Sequence, residues 1–199
     1  MQKYMDRCGL PIHWLFVILW MTTGCTPIAG GPPPTRMPAG KRYDAGLAHT
    51  TAVQMPSTEY GSQIFLEEAV WIRKSVGEKS ELHFTTGIFW GGGFSYYGVI
   101  GYRRYLALTE SRNIALEARI GGPFYAEIGV PIQQQIGAKN LWLTAHPSIG
   151  LNAFGFIHMP LGLSWSPNDR VQLNASMGSR FGGENPMLLH LHGGVSFPF

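Results

Sequence analysis

The sequence predicts an all-β fold, an up-and-down antiparallel β-barrel of about ten strands that spans a membrane. Apolar and polar residues alternate with a period of two from residue 43 to the end, which is the pattern of half-buried strands. Charged residues make up only 14% of the chain, against about 25% in ordinary soluble domains. The polar positions of the alternation hold mainly His, Gln, Asn, Ser, Thr and Gly. These observations together indicate an apolar outer face around a polar interior.

Ten alternating runs mark the predicted strands. Helical periodicity competes with strand periodicity only in the run IFLEEAVWIRKS. If the first run lies outside the sheet, a smaller barrel of about eight strands results. The predicted limits are 43–54, 64–74, 80–90, 95–108, 113–121, 124–136, 140–151, 154–166, 170–180 and 187–198.

Two kinds of connection alternate along the chain. Short polar connections have the sequences VGEKS, TESRN, GAKN and SPNDR, whereas the others are longer or rich in glycine, such as WGGG and FGGENP. In an up-and-down meander, odd connections lie at one end of the barrel and even ones at the other. An even number of strands then places both chain ends beside the short polar connections.

The composition of the polar face separates a membrane barrel from a soluble one. In the run 80–90, Leu82 and Ile88 share one face, and Glu81 and His83 share the other. A water-facing surface would be roughly a quarter to a third charged. The lysines beyond the N-terminal region instead lie at strand ends or in turns, at Lys41, Lys74, Lys79 and Lys139. A soluble, periplasmic β-rich lipoprotein is the competing architecture.

Aromatic residues gather near the two ends of the predicted strands, as in the aromatic girdles of membrane barrels. One group contains Trp90, Phe94, Tyr96 and Tyr97, and the other contains Tyr43, Tyr105, Trp165, Phe197 and Phe199.

Residues 1–24 have the features of a signal peptide. Lys3 and Arg7 precede an uninterrupted apolar stretch, 15–21, that is too short to span a membrane as a helix. The stretch is followed by Thr-Thr-Gly-Cys, which resembles the bacterial lipobox. The resemblance implies that Cys25 becomes the lipid-modified first residue and anchors the protein to a membrane. An ordinary secretory signal is the alternative.

Residues 25–42 follow as a region rich in proline and glycine. Such a composition does not build a core of its own, and it is typical of an extended linker. The sequence therefore predicts a lipidated cysteine and a tether over 25–42, and the β-barrel over 43–199.

The chain ends in the segment MLLHLHGGVSFPF, which alternates up to a final aromatic residue. It resembles the terminal strand of bacterial outer-membrane barrels, which the barrel-insertion machinery recognises. The residues that match are Leu189, Leu191, Val195, Phe197 and Phe199. Pro198 departs from the pattern because it cannot donate a ladder hydrogen bond. The resemblance implies an outer-membrane location, with membrane lipid and the insertion machinery as partners.

Charged residues on the predicted inner face should pair with one another. The strand register predicts an Arg73–Glu81 pair and an Arg119–Glu127 pair, with Glu117 nearby. Ion pairs of this kind fill and neutralise a barrel interior, and this role is favoured over acid–base catalysis.

Five histidines also fall on the predicted inner face: His83, His146, His158, His190 and His192. A hairpin centred on Asn152 would place His146 directly opposite His158. A metal site needs three or four converging ligands, so hydrogen bonding is the predicted role, and no metal site is predicted. The chain has no cysteine after Cys25, which excludes a disulfide or a thiolate metal site beyond it.

No catalytic arrangement and no cofactor motif is recognisable. Ser148 and His146 form the best Ser–His pair, but no third orienting group accompanies them. The Gly-rich GGGFSYYG leads into a strand rather than a helix, which argues against a phosphate loop. The net charge of +3 is dispersed, which argues against nucleic-acid binding. The sequence favours a structural or interaction protein, ahead of a narrow pore or lipophilic-ligand carrier and of a lipid-modifying enzyme.

Overall fold

The computed structural model describes residues 31–38, 40–56, 61–91, 93–122, 125–137, 140–152, 154–182 and 185–199. Among these residues, no helix is long and apolar enough to cross a membrane. The strands are β1 Tyr43–Gln54, β2 Gln63–Gly77, β3 Ser80–Trp90, β4 Phe94–Leu108, β5 Arg112–Gly121, β6 Tyr125–Gly129, β7 Ile132–Gln135, β8 Leu141–Ala145, β9 Ser148–Asn152, β10 Phe154–Asn168, β11 Val171–Gly182 and β12 Asn185–Pro198.

These twelve segments form one closed antiparallel barrel of ten strands. Two of the ten barrel strands are each interrupted once and therefore count as two segments. The barrel strand formed by β6 and β7 is interrupted at Pro131, and the barrel strand formed by β8 and β9 is interrupted at Pro147. Proline has no N–H to give to a ladder. The carbonyls at the breaks still bond across the sheet, since Ala115 N donates to Pro131 O and Val130 N donates to Pro147 O, both at 2.9 Å. The predicted fold class is confirmed, with two predicted runs divided by prolines.

The barrel closes between β1 and β12. Their register runs from Asp44 opposite Pro198 to Gln54 opposite Leu188 without a shift. Beyond Pro198 the ladder continues, because Phe199 N donates to Tyr43 O at 2.8 Å and Tyr43 N donates to Phe199 O at 3.0 Å. The first run therefore closes the barrel, and the missing donor of Pro198 does not end the pairing.

The barrel is apolar outside and polar inside. Outward positions hold exposed aliphatic side chains such as Ile64, which is 66% exposed, and Leu191, which is 60% exposed. Inward positions hold buried charged groups, and Arg73 and Arg103 are completely buried. A water-soluble barrel has the opposite distribution, with its charged groups outside in water, because a buried charge is stable only when it is paired. The surface is that of a transmembrane β-barrel.

The aromatic prediction is right for part of each group. Trp90 and Phe94 lie outside at one end with their rings 6.0 Å apart, and Tyr43 stacks on Phe199 at the other end. Tyr97 and Tyr105 were expected in the girdles, but both point inward and are buried. Their hydroxyls bind carboxylates of the interior, which a ring at a lipid interface could not reach.

The N-terminal segment differs most from its prediction. A tether was expected over 25–42, but residues 31–38, here called the luminal segment, lie inside the barrel. Pro33, Thr35 and Met37 are buried. A proline- and glycine-rich segment cannot form a core of its own, but the barrel encloses it and supplies partners for its backbone. Residues 1–30 lie outside the described residues.

Candidate functional site

The interior begins, at the barrel end where β1 starts and β12 ends, with a layer of charges around Arg73. Arg73 Nη2 lies 2.5 Å from Asp44 Oδ2, and Arg73 Nη1 lies 3.4 Å from Glu81 Oε2. Arg103 Nη1 approaches the same Glu81 oxygen at 3.6 Å. The structure thus brings the expected partners Arg73 and Glu81 together. Their contact is diagonal, since the register places Arg73 opposite His83.

The next layer is organised by Glu117, which lies between two arginines. Its carboxylate accepts hydrogen bonds from Arg103 and Arg119, and His83 Nε2 lies 3.4 Å away. Arg119 stands directly opposite Glu127 in the register, with Nη1 3.7 Å from the Glu127 carboxylate. A buried charge pair of this kind must satisfy its donors and acceptors internally, because water is excluded.

The luminal segment supplies backbone oxygens to this network. Thr35 O accepts from both Arg73 and Arg103, and Pro33 O accepts from Arg103 at 3.0 Å. The segment also donates, since Met37 N binds Glu81 Oε1 at 3.2 Å. A proline-rich segment suits this position, because prolines offer carbonyl acceptors without adding N–H donors that would need partners. Arginine carries five donors, more than the carboxylates here satisfy.

A third layer surrounds Glu127. Tyr125 and Ser148 both donate hydroxyl hydrogen bonds to its carboxylate. His158 Nδ1 lies 3.8 Å from Glu127 Oε1, and its Nε2 lies 2.8 Å from His190 Nε2. Ser148 therefore binds a carboxylate rather than the base that a nucleophilic serine needs.

The predicted His146–His158 pair does not form across the hairpin. The register places His158 opposite Ser148, so the hairpin is centred one residue beyond Asn152. His146 N instead donates to Pro160 O at 3.2 Å. This register gives His158 its contact with His190 on β12, which the sequence did not predict.

The remaining inward histidines use glycines on neighbouring strands. A Cβ atom at Gly101 would lie 2.1 Å from His83 Nε2, and one at Gly129 would lie 2.4 Å from His146 Nε2. Glycine is therefore required where these rings lie against the wall. His192 Nδ1 lies 3.0 Å from Thr50 Oγ1. Among the described residues, no group of three or more His, Cys, Asp or Glu is arranged to hold a metal ion.

An aromatic layer fills the interior toward the glycine-rich connections. Tyr97 donates to the buried Glu67, and Tyr125 stacks on Phe156 with ring centroids 6.1 Å apart. The guanidinium of Arg180 lies 3.7 Å from the centre of the Phe156 ring. Between this layer and the luminal segment, the cavity beside His146 and His158 measures only about 50 Å³. The described part of the interior is thus packed and offers no wide passage.

One polar cluster lies on the outer wall, and the sequence reasoning did not identify it as a site. His49 Nδ1 lies 2.6 Å from Glu68 Oε1, and His49 Nε2 lies 2.9 Å from Thr51 Oγ1. All three side chains are on the lipid-facing side of β1 and β2. The sequence does contain a signal for this cluster. Successive residues of a strand face opposite sides, so one of the neighbouring Glu67 and Glu68 must face the lipid.

The fold and the two faces define a transmembrane β-barrel with a filled polar interior. No protein-family model matches the chain, and no curated protein matches it. Its fold is similar to those of solved bacterial barrels. Neisserial surface protein A is 14% identical, with a TM-score of 0.41 over 81% of this chain and 98% of that one. The KdgM porin is 10% identical, with a TM-score of 0.47 over 78% and 99%. The N-terminal barrel domain of Pseudomonas aeruginosa OprF is 11% identical, with a TM-score of 0.41 over 80% and 99%.

Replacing Glu117 with glutamine should destabilise the barrel strongly. The change keeps the shape but leaves Arg103 and Arg119 without their shared carboxylate. Removing one partner from a buried ion pair costs about 3–5 kcal/mol. Urea unfolding of the protein in detergent micelles, followed by tryptophan fluorescence, measures this loss. The control is Glu110→Gln in an exposed turn, and equal stability of the two variants would contradict the network.

Proposed function

We propose that the protein is an outer-membrane β-barrel with a sealed interior, which acts as a structural or interaction protein rather than as a diffusion pore. The observation that carries this proposal is the luminal segment, whose backbone oxygens accept hydrogen bonds from the buried Arg73 and Arg103. A segment that satisfies buried charges belongs to the folded state, because its removal would leave those charges exposed to an unfilled cavity.

Two larger cavities flank the luminal segment, but they belong to one end of the barrel. They measure about 520 Å³ and 610 Å³. The wall of the first cavity includes Glu110 and Asp169, and the wall of the second includes Lys41 and Glu78. These residues lie in connections between strands or just before β1. Cavities at a mouth do not make a passage when the next layers are packed. This distribution favours a sealed barrel over a pore or a carrier of ligands in the interior.

The outer-membrane assignment rests on the barrel architecture and on its last strand. The residues that resemble an insertion signal lie on the outer wall, where Leu191 is 60% exposed and Phe199 is 60% exposed. An outward apolar row ending in an aromatic ring is accessible to an insertion machinery that pairs with strand edges. The proposed partners are therefore this machinery during assembly and outer-membrane lipid afterwards.

A lipid anchor at Cys25 forms the second part of the proposal. Gly31 is the sixth residue after Cys25, and an extended chain reaches about 3.5 Å per residue. The anchor would thus be held within about 21 Å of Gly31, because the luminal segment fixes the chain there.

Lipidation at Cys25 predicts a specific mass. The intact mass of the mature protein should equal residues 25–199 plus a lipid adduct, and Cys25→Ser should abolish the adduct. An unmodified N-terminus at any other position would show an ordinary secretory signal. The sealed barrel could still be correct in that case.

The sealed interior predicts an absence of conductance. The purified full-length protein, inserted in planar bilayers, should show no stable current steps at a dose at which a known porin conducts. A variant lacking 31–38 and carrying alanine at Tyr97, Tyr125 and Phe156 should conduct, because both the luminal segment and the aromatic layer are removed. Stable channels formed by the unmodified protein would overturn the proposal and favour the pore.

A further inference from the structure

Two ionisable side chains lie in the middle of the lipid-facing wall. His49 and Glu68 are each about half exposed, at 51% and 47%, and Leu47 and Val70 beside them are exposed apolar residues. Other outward charged residues that the structure describes within strands, such as Lys74 and Arg104, are near strand ends. A charged group within the apolar band is unfavourable, so its presence there suggests a function.

The three groups of this outer-wall cluster form a relay of hydrogen bonds. Glu68 Oε1 is 2.6 Å from His49 Nδ1, and His49 Nε2 is 2.9 Å from Thr51 Oγ1. A proton on Nδ1 shared with Glu68 leaves Nε2 free to accept from the Thr51 hydroxyl. This order of hydroxyl, imidazole and carboxylate is that of an activated nucleophile, its base and the group that orients the base.

An apolar trough leads away from His49 across the barrel wall. The residues next to His49 across the strands are Gly193 and then Ala175, which are too small to fill the surface. A shallow depression with a volume of about 780 Å³, largely open to the membrane, lies over them and begins at His49 and Thr51. Its remaining apolar walls are formed by Leu191, Met177, Leu161, Leu163 and Leu143.

The trough has dimensions suited to a lipid chain. It crosses from β1 over β12, β11 and β10 to β8, and at about 4.8 Å between strands this is roughly 19 Å. A lipid acyl chain is the apolar, extended group that is available at this wall. A chain lying along the trough with its ester at the β1 end would bring that ester next to Thr51.

Thr51 is the member of the cluster nearest to the aromatic residues of one barrel end. Thr51 stands opposite Leu66, and Leu66 stands opposite Trp90 in the next strand pair. Aromatic residues at barrel ends mark the headgroup level of the bilayer. Thr51 lies three residues before the end of β1 at Gln54, which is about 10 Å along the strand, so its hydroxyl is on the side of the cluster that faces the headgroups. This end carries the eight-residue connection between β1 and β2, and long connections face outward in such barrels.

We propose that Thr51, His49 and Glu68 form a lipid-facing catalytic site that hydrolyses ester-linked acyl chains of membrane lipids. Thr51 is the nucleophile, His49 is the general base and acid, and Glu68 is the positioning residue for His49. The ester belongs to a glycerophospholipid or to an acylated sugar lipid, which share this chemistry. This site does not rest on the sealed interior, because it lies on the opposite face of the wall.

The chemistry balances with water as the only co-reactant. Thr51 Oγ attacks the ester carbonyl carbon while its proton passes to His49 Nε2. The carbon–oxygen bond to the lipid alcohol breaks, and His49 returns the proton to that alcohol. Water then attacks the acyl–Thr51 ester and gives a proton to His49. The bond between the acyl carbon and Thr51 Oγ breaks, His49 passes the proton to Oγ, and the fatty acid leaves.

Fatty-acid release by the full-length protein tests the proposal directly. The protein is folded in detergent micelles mixed with phosphatidylethanolamine in one arm and with purified lipopolysaccharide in the other. Wild-type protein should release free fatty acid in at least one arm, which identifies the lipid source. Thr51→Val and His49→Gln should each lower the rate by about 100-fold or more. Release from neither lipid would overturn the proposal.

Matched variants separate catalysis from folding. Thr51→Ser keeps a hydroxyl and should retain activity. Thr50→Ala, whose side chain faces the interior, should also retain it. Glu68→Gln should lower kcat with little change in KM, because Glu68 acts through His49. The slower gel migration after boiling verifies that each variant is a folded barrel. Full activity of a folded Thr51→Val variant would exclude Thr51 as the nucleophile.

Trapping the covalent intermediate provides a second measurement. Acid quenching during turnover should yield protein with the mass of one added acyl chain, located on the peptide that contains Thr51. The adduct should be absent in Thr51→Val. Hydrolysis by wild-type protein with an acyl chain trapped on any other residue would contradict the assignment.

Discussion

The interior of this barrel depends on buried arginines that require more hydrogen-bond acceptors than the strands provide. Arg73 and Arg103 are completely buried, and a buried guanidinium without partners would be strongly destabilising. Asp44, Glu81 and Glu117 supply carboxylates, and Thr35 and Pro33 supply backbone oxygens. The luminal segment is consequently part of the electrostatic structure of the barrel and not only a connection to its N-terminus.

This constraint also accounts for the proposed division between the two faces of the wall. The inner face is used to neutralise charge and exclude water, and it is crowded by tyrosines, histidines and the luminal segment. The outer face is free to contact lipid, and there His49, Thr51 and Glu68 interrupt an otherwise apolar band. A single strand serves both faces, since Thr50 points to His192 inside while Thr51 points to His49 outside.

The sequence predicted the barrel because period-two alternation and a lack of lysines are direct consequences of an inside-out fold. It also predicted that Arg119 lies opposite or diagonal to Glu127, since one short connection limits that register, and the two residues are directly opposite. It failed for His146 and His158, because a shift of one residue in a hairpin centre changes every partner. The luminal segment could not be predicted from its composition, because its partners are arginines far away in the chain. The outer-wall cluster required the β1–β2 register, which the long connection between them does not specify.

The position of the luminal segment is tested most directly by the reactivity of a cysteine at residue 35. Thr35→Cys is introduced in a chain whose natural cysteines, Cys8 and Cys25, are replaced, and the folded protein is treated with a bulky maleimide. Thr35 is 1% exposed, so the thiol should react only after the barrel is unfolded, whereas Gly40→Cys, at an exposed position, should react at once. Rapid labelling of position 35 in a barrel that still shows the boiling-dependent gel shift would contradict the enclosed segment and the sealed interior that depends on it.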